Sequence, residues 1–282
     1  MKSNRKRLPN KIFVWDLTRK SGRGYNEFQK GGDRVLENEK GRFGLNSFAL
    51  HMLAMALMLC DHLWASILSV NALTWLGRIA FPLFAYMIAE GYRHTGNFKK
   101  YLLRLLICAL ISEIPFNLFY SGSWIYPFHQ NVLWTFLLAL IAIHLIEKVR
   151  GRGKIWLTLL TAAGVSILGY LLGFVLMLDY YGFGVLTVIG FYLLRGRRWY
   201  CLLAQAAMLW WINIEMMGGL SVHLEIAGRI FEIPQQGMAI FAMVPILLYN
   251  GKQGPHNRTT RLAFYLFYPV HMLILVILSH VL

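Results

Sequence analysis

From Ser47 to the C-terminus the chain is a succession of apolar runs of roughly membrane-spanning length, separated by short polar hinges. No other feature limits the fold as strongly, because backbone amides in hydrocarbon need internal partners and such runs must fold as helices. Nine runs can be read: 47–70, 76–92, 100–120, 131–147, 155–177, 183–195, 199–216, 235–250 and 261–281. Several are short for a hydrocarbon core about 30 Å thick, so their boundaries are soft and one short run could be re-entrant. The chain is 57% hydrophobic and 15% charged, whereas a soluble domain carries about 25% charged residues. The expected fold class is all-α: a polytopic integral membrane protein with about nine transmembrane helices.

Charge divides the chain in two. Residues 1–46 hold 12 of the 28 Lys and Arg and 5 of the 13 acids, and read as a basic, solvated cytoplasmic tail drawn to anionic lipid. The membrane domain is expected over 47–282. Its hinges alternate. "RHTGNFKKYLLR", "EKVRGRGK", "RGRR" and "NGKQGPHNRTTR" together hold 14 Lys and Arg; "NALTW", "SGSWIYPFHQ" and "DYYG" hold none, and the long hinge at 212–236 holds Arg229 alone. Basic loops stay inside, which puts the N-terminus in the cytoplasm and the C-terminus outside. The cysteines, Cys60, Cys108 and Cys201, lie in apolar runs without metal or redox spacing and read as small hydrophobes.

The polar residues inside the apolar runs carry the chemistry. Asp61 and His62 stand side by side in "MALMLCDHLWASIL", where a charge costs about 2.5 kcal/mol or more at a helix centre. His62 falls about 20 Å from the inner end of its run. Arg78, near the start of the next run, lies at a comparable depth, so Asp61, His62 and Arg78 can meet. An Asp–Arg pair would neutralise two charges and leave the imidazole as a base. Neighbours in sequence do not share a helix face, which argues against a direct Asp61–His62 contact. His51 lies eleven residues before His62, on the same face and about 16 Å away, and that face would line a polar path from the cytoplasmic side. An interfacial histidine capped by solvent is the alternative for His51.

Glu113 in "ISEIPFNL", His129 to Asn131 in "FHQN" and Asp179 in "LDYYG" gather at the outer level. Singly, each of the last three suits a headgroup-facing position; Glu113, preceding a proline within an apolar run, suits a site better. Pro82, Pro115, Pro245 and Pro269 each free a carbonyl four residues earlier, and broken helices are tolerated mainly beside cavities. At the inner side Glu90, Arg93, His94, Lys99, Lys100 and Arg104 form either plain positive-inside topology or a seat for an anionic cytosolic cofactor. No P-loop, HExxH, cysteine-rich metal site or GxSxG elbow occurs, and the acids are scattered singly. A dedicated metal site is not expected, nor is a nucleic-acid partner.

The stretches "LCDHLWASIL", "WLGRIAFPLFAYMIAEGYRHTGNFKKYLLRLLICALISEIPFNLFY", "FHQNVLWTFLLALIAIHLIE", "DYYGFGVLTVIGFYLLR" and "FYPVHM" resemble the TraX family over about residues 44–282. That family is named for a conjugal-transfer protein that acetylates the N-terminus of pilin, and is similar to the membrane acyltransferases that modify envelope sugars. The resemblance implies His62 as the catalytic base with Asp61, Arg78 and Glu113 in support, and His271 as a last-span site histidine. It implies acetyl-CoA as co-substrate. His51, Arg93, Lys99, Lys100 and Arg104 are then expected to bind it, and His129, Asn131, Asp179 and His271 to face the acceptor, an unidentified peptide N-terminus, sugar or lipid head group. The expected function is acetyl transfer in the cell membrane. The rival readings are a proton-coupled transporter or flippase and a non-enzymatic scaffold.

Overall fold

The computed structural model describes residues 44–219, 221–226, 229–255 and 257–281. The basic tail therefore lies, but for residues 44–46, outside the described residues. Ten α-helices form a bundle: α1 Ser47–Ser66, α2 Asn71–Gly77, α3 Ala80–His94, α4 Phe98–Ser121, α5 Val132–Arg150, α6 Ile155–Val175, α7 Tyr181–Leu193, α8 Trp199–Trp210, α9 Met243–Leu248 and α10 Arg258–Val281. A π-helical turn, Trp211–Met216, continues α8, and a 3₁₀ segment, Gln235–Ala242, leads into α9. Among the described residues six stretches are long and apolar enough to cross a bilayer: α1, the α2–α3 unit, α4, α5, α6 and α10; Tyr181–Leu193 and Gln235–Leu248 are apolar but shorter.

Polar caps set the helix starts. The side chains of Asn46, Asn97 and Asn131 accept from the amides of Ala49, Lys100 and Leu133, satisfying donors that the first turn leaves orphaned. Gly122, at φ 68°, closes α4 in the left-handed conformation. Two boundaries depart from the sequence reading. The hinge expected at Asn71–Trp75 is helical, because Thr74 there is fully buried against α1 and hydrogen-bonded to it; the chain turns instead over 67–70. The long hinge at 212–236 includes an antiparallel hairpin, β1 Ser221–Ile226 with β2 Arg229–Pro234, paired from Ser221–Pro234 to Ile226–Arg229. The similar texts around Arg78 and Arg229 thus fold differently, as a helix junction and a strand.

Helices α1, α10, α4, α5 and α3 pack in a closed ring, and α6 and α7 cover α5 on its outer side. The core runs from Leu50 and Ala54 through Leu83 and Ala85 to Leu140, Ile143, Val185 and Val188. Helices α6 and α7 approach so closely that a Cβ on Gly173 would lie 2.5 Å from the Gly182 backbone. Small residues permit this kind of contact where no hydrophobic effect drives helices together. The first and last helices run parallel: Phe48 and His51 meet Phe264, and further along both helices His62 meets His271. Residues 45–48 bond to the backbone at 248–253, so α10 starts at the end of the bundle where α1 starts.

Candidate active site

Asp61 and His62 point to different neighbours, as consecutive helical residues must. Asp61 turns to the α2–α3 unit, where its Oδ1 accepts from Thr74 Oγ1 at 2.9 Å and stands 3.8 Å from Arg78 Nη2. His62 turns to α10 and α4. Its Nδ1 lies 2.7 Å from His271 Nε2, the two rings are within 4° of parallel, and Phe119 flanks it at 5.1 Å. Neither Asp61 nor Arg78 orients the imidazole; His271 does. The proton positions follow from the hydrogen bonds. His271 Nδ1 lies 2.7 Å from the Phe267 carbonyl and must donate to it, which leaves Nε2 as an acceptor. His62 Nδ1–H then donates to His271, and the lone pair of His62 Nε2 is left for chemistry.

Arg78 sits where Gly77 and Pro82 break the helix, at the turn between α2 and α3. Asp61, Asp179 and Tyr180 all lie within electrostatic reach of its guanidinium. Asp179 in turn stands 3.7 Å from His129 Nε2, accepts from the Tyr180 amide, and takes the Thr135 hydroxyl on its carbonyl. Tyr180 stacks on Phe81 at 3.9 Å. Met177, Tyr180 and Tyr181 all have positive φ (49°, 59° and 47°), a strain that a surrounding structure must hold in place and that clusters at functional sites.

Glu113 takes hydrogen bonds on one oxygen from Asn131 Nδ2 (2.5 Å) and Trp134 Nε1 (2.8 Å); its other oxygen is buried with no partner among the described residues. Asn131 is fully buried, donates also to the Ala109 carbonyl and caps α5, so its polar atoms are all engaged in structure. His129 stacks against Tyr120 at 4.5 Å and Phe116 at 5.5 Å. Among the described residues no three His, Cys, Asp or Glu side chains converge as metal ligands.

The expected inner residues are dispersed. Arg93 pairs with Glu90 at 3.0 Å, Lys99 and Lys100 are exposed, and Arg104 faces Tyr265 on the α4–α10 seam. His51 stacks on Phe264 at 4.9 Å with Nδ1 on the Ser47 carbonyl. It does share with His62 the face turned to α10, but Ala54, Met55 and Met58 between them are packed and apolar, where a polar path was expected. Sequence reasoning missed Thr74, Phe119, Trp134 and Tyr180. Only Tyr180 carried a signal, since the hinge "DYYG" places it directly after Asp179.

The family model described as TraX protein matches residues 47–279. The chain is 29% identical over 253 residues to a protein of Dichelobacter nodosus named probable fimbrial assembly protein FimC, serogroup H1, in a match that takes in 82% of this chain and 94% of that one. No solved structure matches.

Proposed function

The chain belongs to the TraX family, and from that premise we propose that it is an integral plasma-membrane acetyltransferase carrying acetyl from cytosolic acetyl-CoA to an amine or hydroxyl at or across the membrane. Nine passes, with the N-terminus cytoplasmic, fit the parallel course of α1 and α10, which requires an odd number of crossings. The six long helices alone would give an even one. The relative's name makes a fimbrial subunit the first acceptor to try.

The observation that carries this reading is the 2.7 Å contact between His62 Nδ1 and His271 Nε2. It fixes the tautomer of His62 and leaves Nε2 to take the acceptor's proton as its nitrogen or oxygen attacks the thioester carbonyl. Charge on the tetrahedral oxyanion would be met by Arg78, and collapse would expel coenzyme A, whose sulfur recovers the proton from His62. General-base catalysis of this kind contributes roughly 10²–10⁴-fold.

The test is transfer from labelled acetyl-CoA by purified protein to an acceptor amine. His62→Ala is expected to lose roughly 10²-fold or more of the rate; a His62→Ala protein that transfers as fast as the unaltered chain would falsify the assignment. Binding of acetyl-CoA by the unaltered chain separates the transferase from the transporter reading, since a transporter of another solute has no reason to bind it.

A further inference from the structure

We propose that the basic end of the bundle carries a preformed seat for a diphosphate-bearing ligand, built by Arg93, Arg150, Arg195 and Arg197. It rests on the transferase reading in one respect: coenzyme A, which carries a diphosphate and a further phosphate, is the ligand meant. The seat keeps Arg93 of the expected set and has Arg150, Arg195 and Arg197 in place of His51, Lys99, Lys100 and Arg104.

The four arginines come from three places in the chain and converge on three tyrosines. Arg195 lies over the Tyr192 ring at 4.4 Å and donates to the Tyr192 carbonyl at 3.2 Å, while Arg150 approaches the same ring at 5.9 Å. Glu147 ties these together: it takes hydrogen bonds from Arg150 and from the Tyr192 hydroxyl, with Arg195 at 4.0 Å. Arg93, paired with Glu90, is within electrostatic reach of Tyr86 and Tyr192, and Arg197 of Tyr86 and Tyr249. Arg197 also donates to the Leu247 carbonyl at 3.4 Å. Tyr249 closes edge-on against Tyr86 at 5.9 Å, and Arg93, in reach of both Tyr86 and Tyr192, makes the two halves one cluster.

Its charge is unbalanced. Four guanidiniums face two carboxylates, Glu90 and Glu147. The side chains of Arg93, Arg150 and Arg195 are 37%, 15% and 27% exposed, open to solvent yet backed by buried Tyr192 and Tyr249. A planar fork offers paired N–H donors that match phosphate oxygens, and partial burial strengthens that match over what a solvated lysine provides. Positive-inside topology explains basic residues at this end but not their convergence on a tyrosine floor.

The ligand phosphate has two sources, a soluble cofactor or an anionic lipid head group, and the test separates them. The purified full chain is titrated calorimetrically with coenzyme A, in phospholipid-free detergent and in nanodiscs of phosphatidylcholine with or without phosphatidylglycerol. Arg195→Gln/Arg197→Gln is expected to weaken coenzyme A binding about tenfold or more, Arg195→Lys/Arg197→Lys to fall between, and the charge-matched Arg152→Gln/Lys154→Gln pair to bind as before. An unchanged thermal midpoint for the lysine pair guards against misfolding. If the glutamine pair binds coenzyme A as the unaltered chain does while acetyl transfer persists, the seat is wrong and the transferase reading stands. If the unaltered chain neither binds coenzyme A nor transfers acetyl, yet takes up phosphatidylglycerol through these arginines, they hold a lipid head group instead, and both the diphosphate seat and the transferase reading fall.

Discussion

Gly77→Ala tests whether the packing of α2 on α1 sets the geometry at Asp61. A Cβ on Gly77 would lie 2.3 Å from Asp61 Cβ, 2.7 Å from its Oδ1 and 2.8 Å from its Cα. The last is a backbone atom, so no rotation of the aspartate relieves the clash. Ordinary contact begins at 3.4 Å, so α2 must withdraw by about 1 Å, a distortion of the kind that costs about 1–3 kcal/mol when a methyl is forced into a packed interior. The same shift stretches the 2.9 Å bond from Thr74 to Asp61 beyond hydrogen-bond range, adding about 1 kcal/mol. It also carries Arg78, one residue on, away from Asp61, and a misplacement near 1 Å at a catalytic group costs roughly 10²-fold in rate. The assays are thermal unfolding followed by tryptophan fluorescence and transfer from labelled acetyl-CoA. Gly164→Ala is the control, because a Cβ there meets nothing within 4 Å. Should Gly77→Ala melt and transfer like the unaltered protein, the α1–α2 contact does not position the site.

His271→Gln should leave coenzyme A affinity unchanged and lower kcat by roughly 10- to 100-fold, since it disturbs the orientation of the base rather than the donor seat; a change in KM alone would contradict that. Asn131→Ala, which loses its bonds to Glu113 and the Ala109 carbonyl and the α5 cap, should cost roughly 2 kcal/mol or more of stability. A raised acceptor KM with an unchanged melting temperature would instead make Asn131 a substrate contact. Arg78→Gln should destabilise by about 3 kcal/mol, as it strands Asp61 in a low-dielectric site. Asp61→Asn/Arg78→Gln should recover most of the melting temperature and none of the activity. Gly173→Ala, whose Cβ would meet only backbone of the 181–182 turn at 2.5–2.6 Å, should cost about 1–3 kcal/mol by unfolding the α6–α7 contact.

The helical skeleton was readable because apolar length and polar hinges are local properties: among the described residues six of the nine runs are helices long and apolar enough to cross a bilayer, and the other three are shorter or broken by π- and 3₁₀-helical segments. What failed was also local but ambiguous. "SVHLEI" alternates with period two beyond the Gly218–Gly219 pair and pairs with the less regular "RIFEIP", a hairpin signal that reading the stretch as a hinge hides. "NALTW" reads as a turn until one knows that Thr74 has a carboxylate to bond. The site was readable as a set of residues and not as a set of contacts. Asp61 and His62 stand out as polar groups in lipid, but the partner of His62 lies 209 residues away on α10, and no periodicity links the two. The basic end repeats the lesson: hinge charge marks Arg93, Arg195 and Arg197 alike, while only packing shows that they share three tyrosines.

The polar groups of the site explain one another. Asp61 binds across to α2 and α3, His62 to α10, Glu113 to α5, and His129 to Asp179 in the hinge before α7. Each joins two segments of the bundle, and the His62–His271 contact joins its first helix to its last. Polar side chains in hydrocarbon bond across helices, so the groups proposed for the chemistry also help to hold the bundle together. That coupling accounts for the strained backbone at 177–181: the hinge is fixed at both ends, by the bond from the Gln130 amide to the Met177 carbonyl and by the Thr135 hydroxyl on Asp179. Substitution at most site residues will therefore lower stability and activity together. His62 Nε2 is the exception, because it is the one ring nitrogen of the His62–His271 pair that makes no hydrogen bond among the described residues, and a group left out of the bonding scheme is one that a substrate can claim.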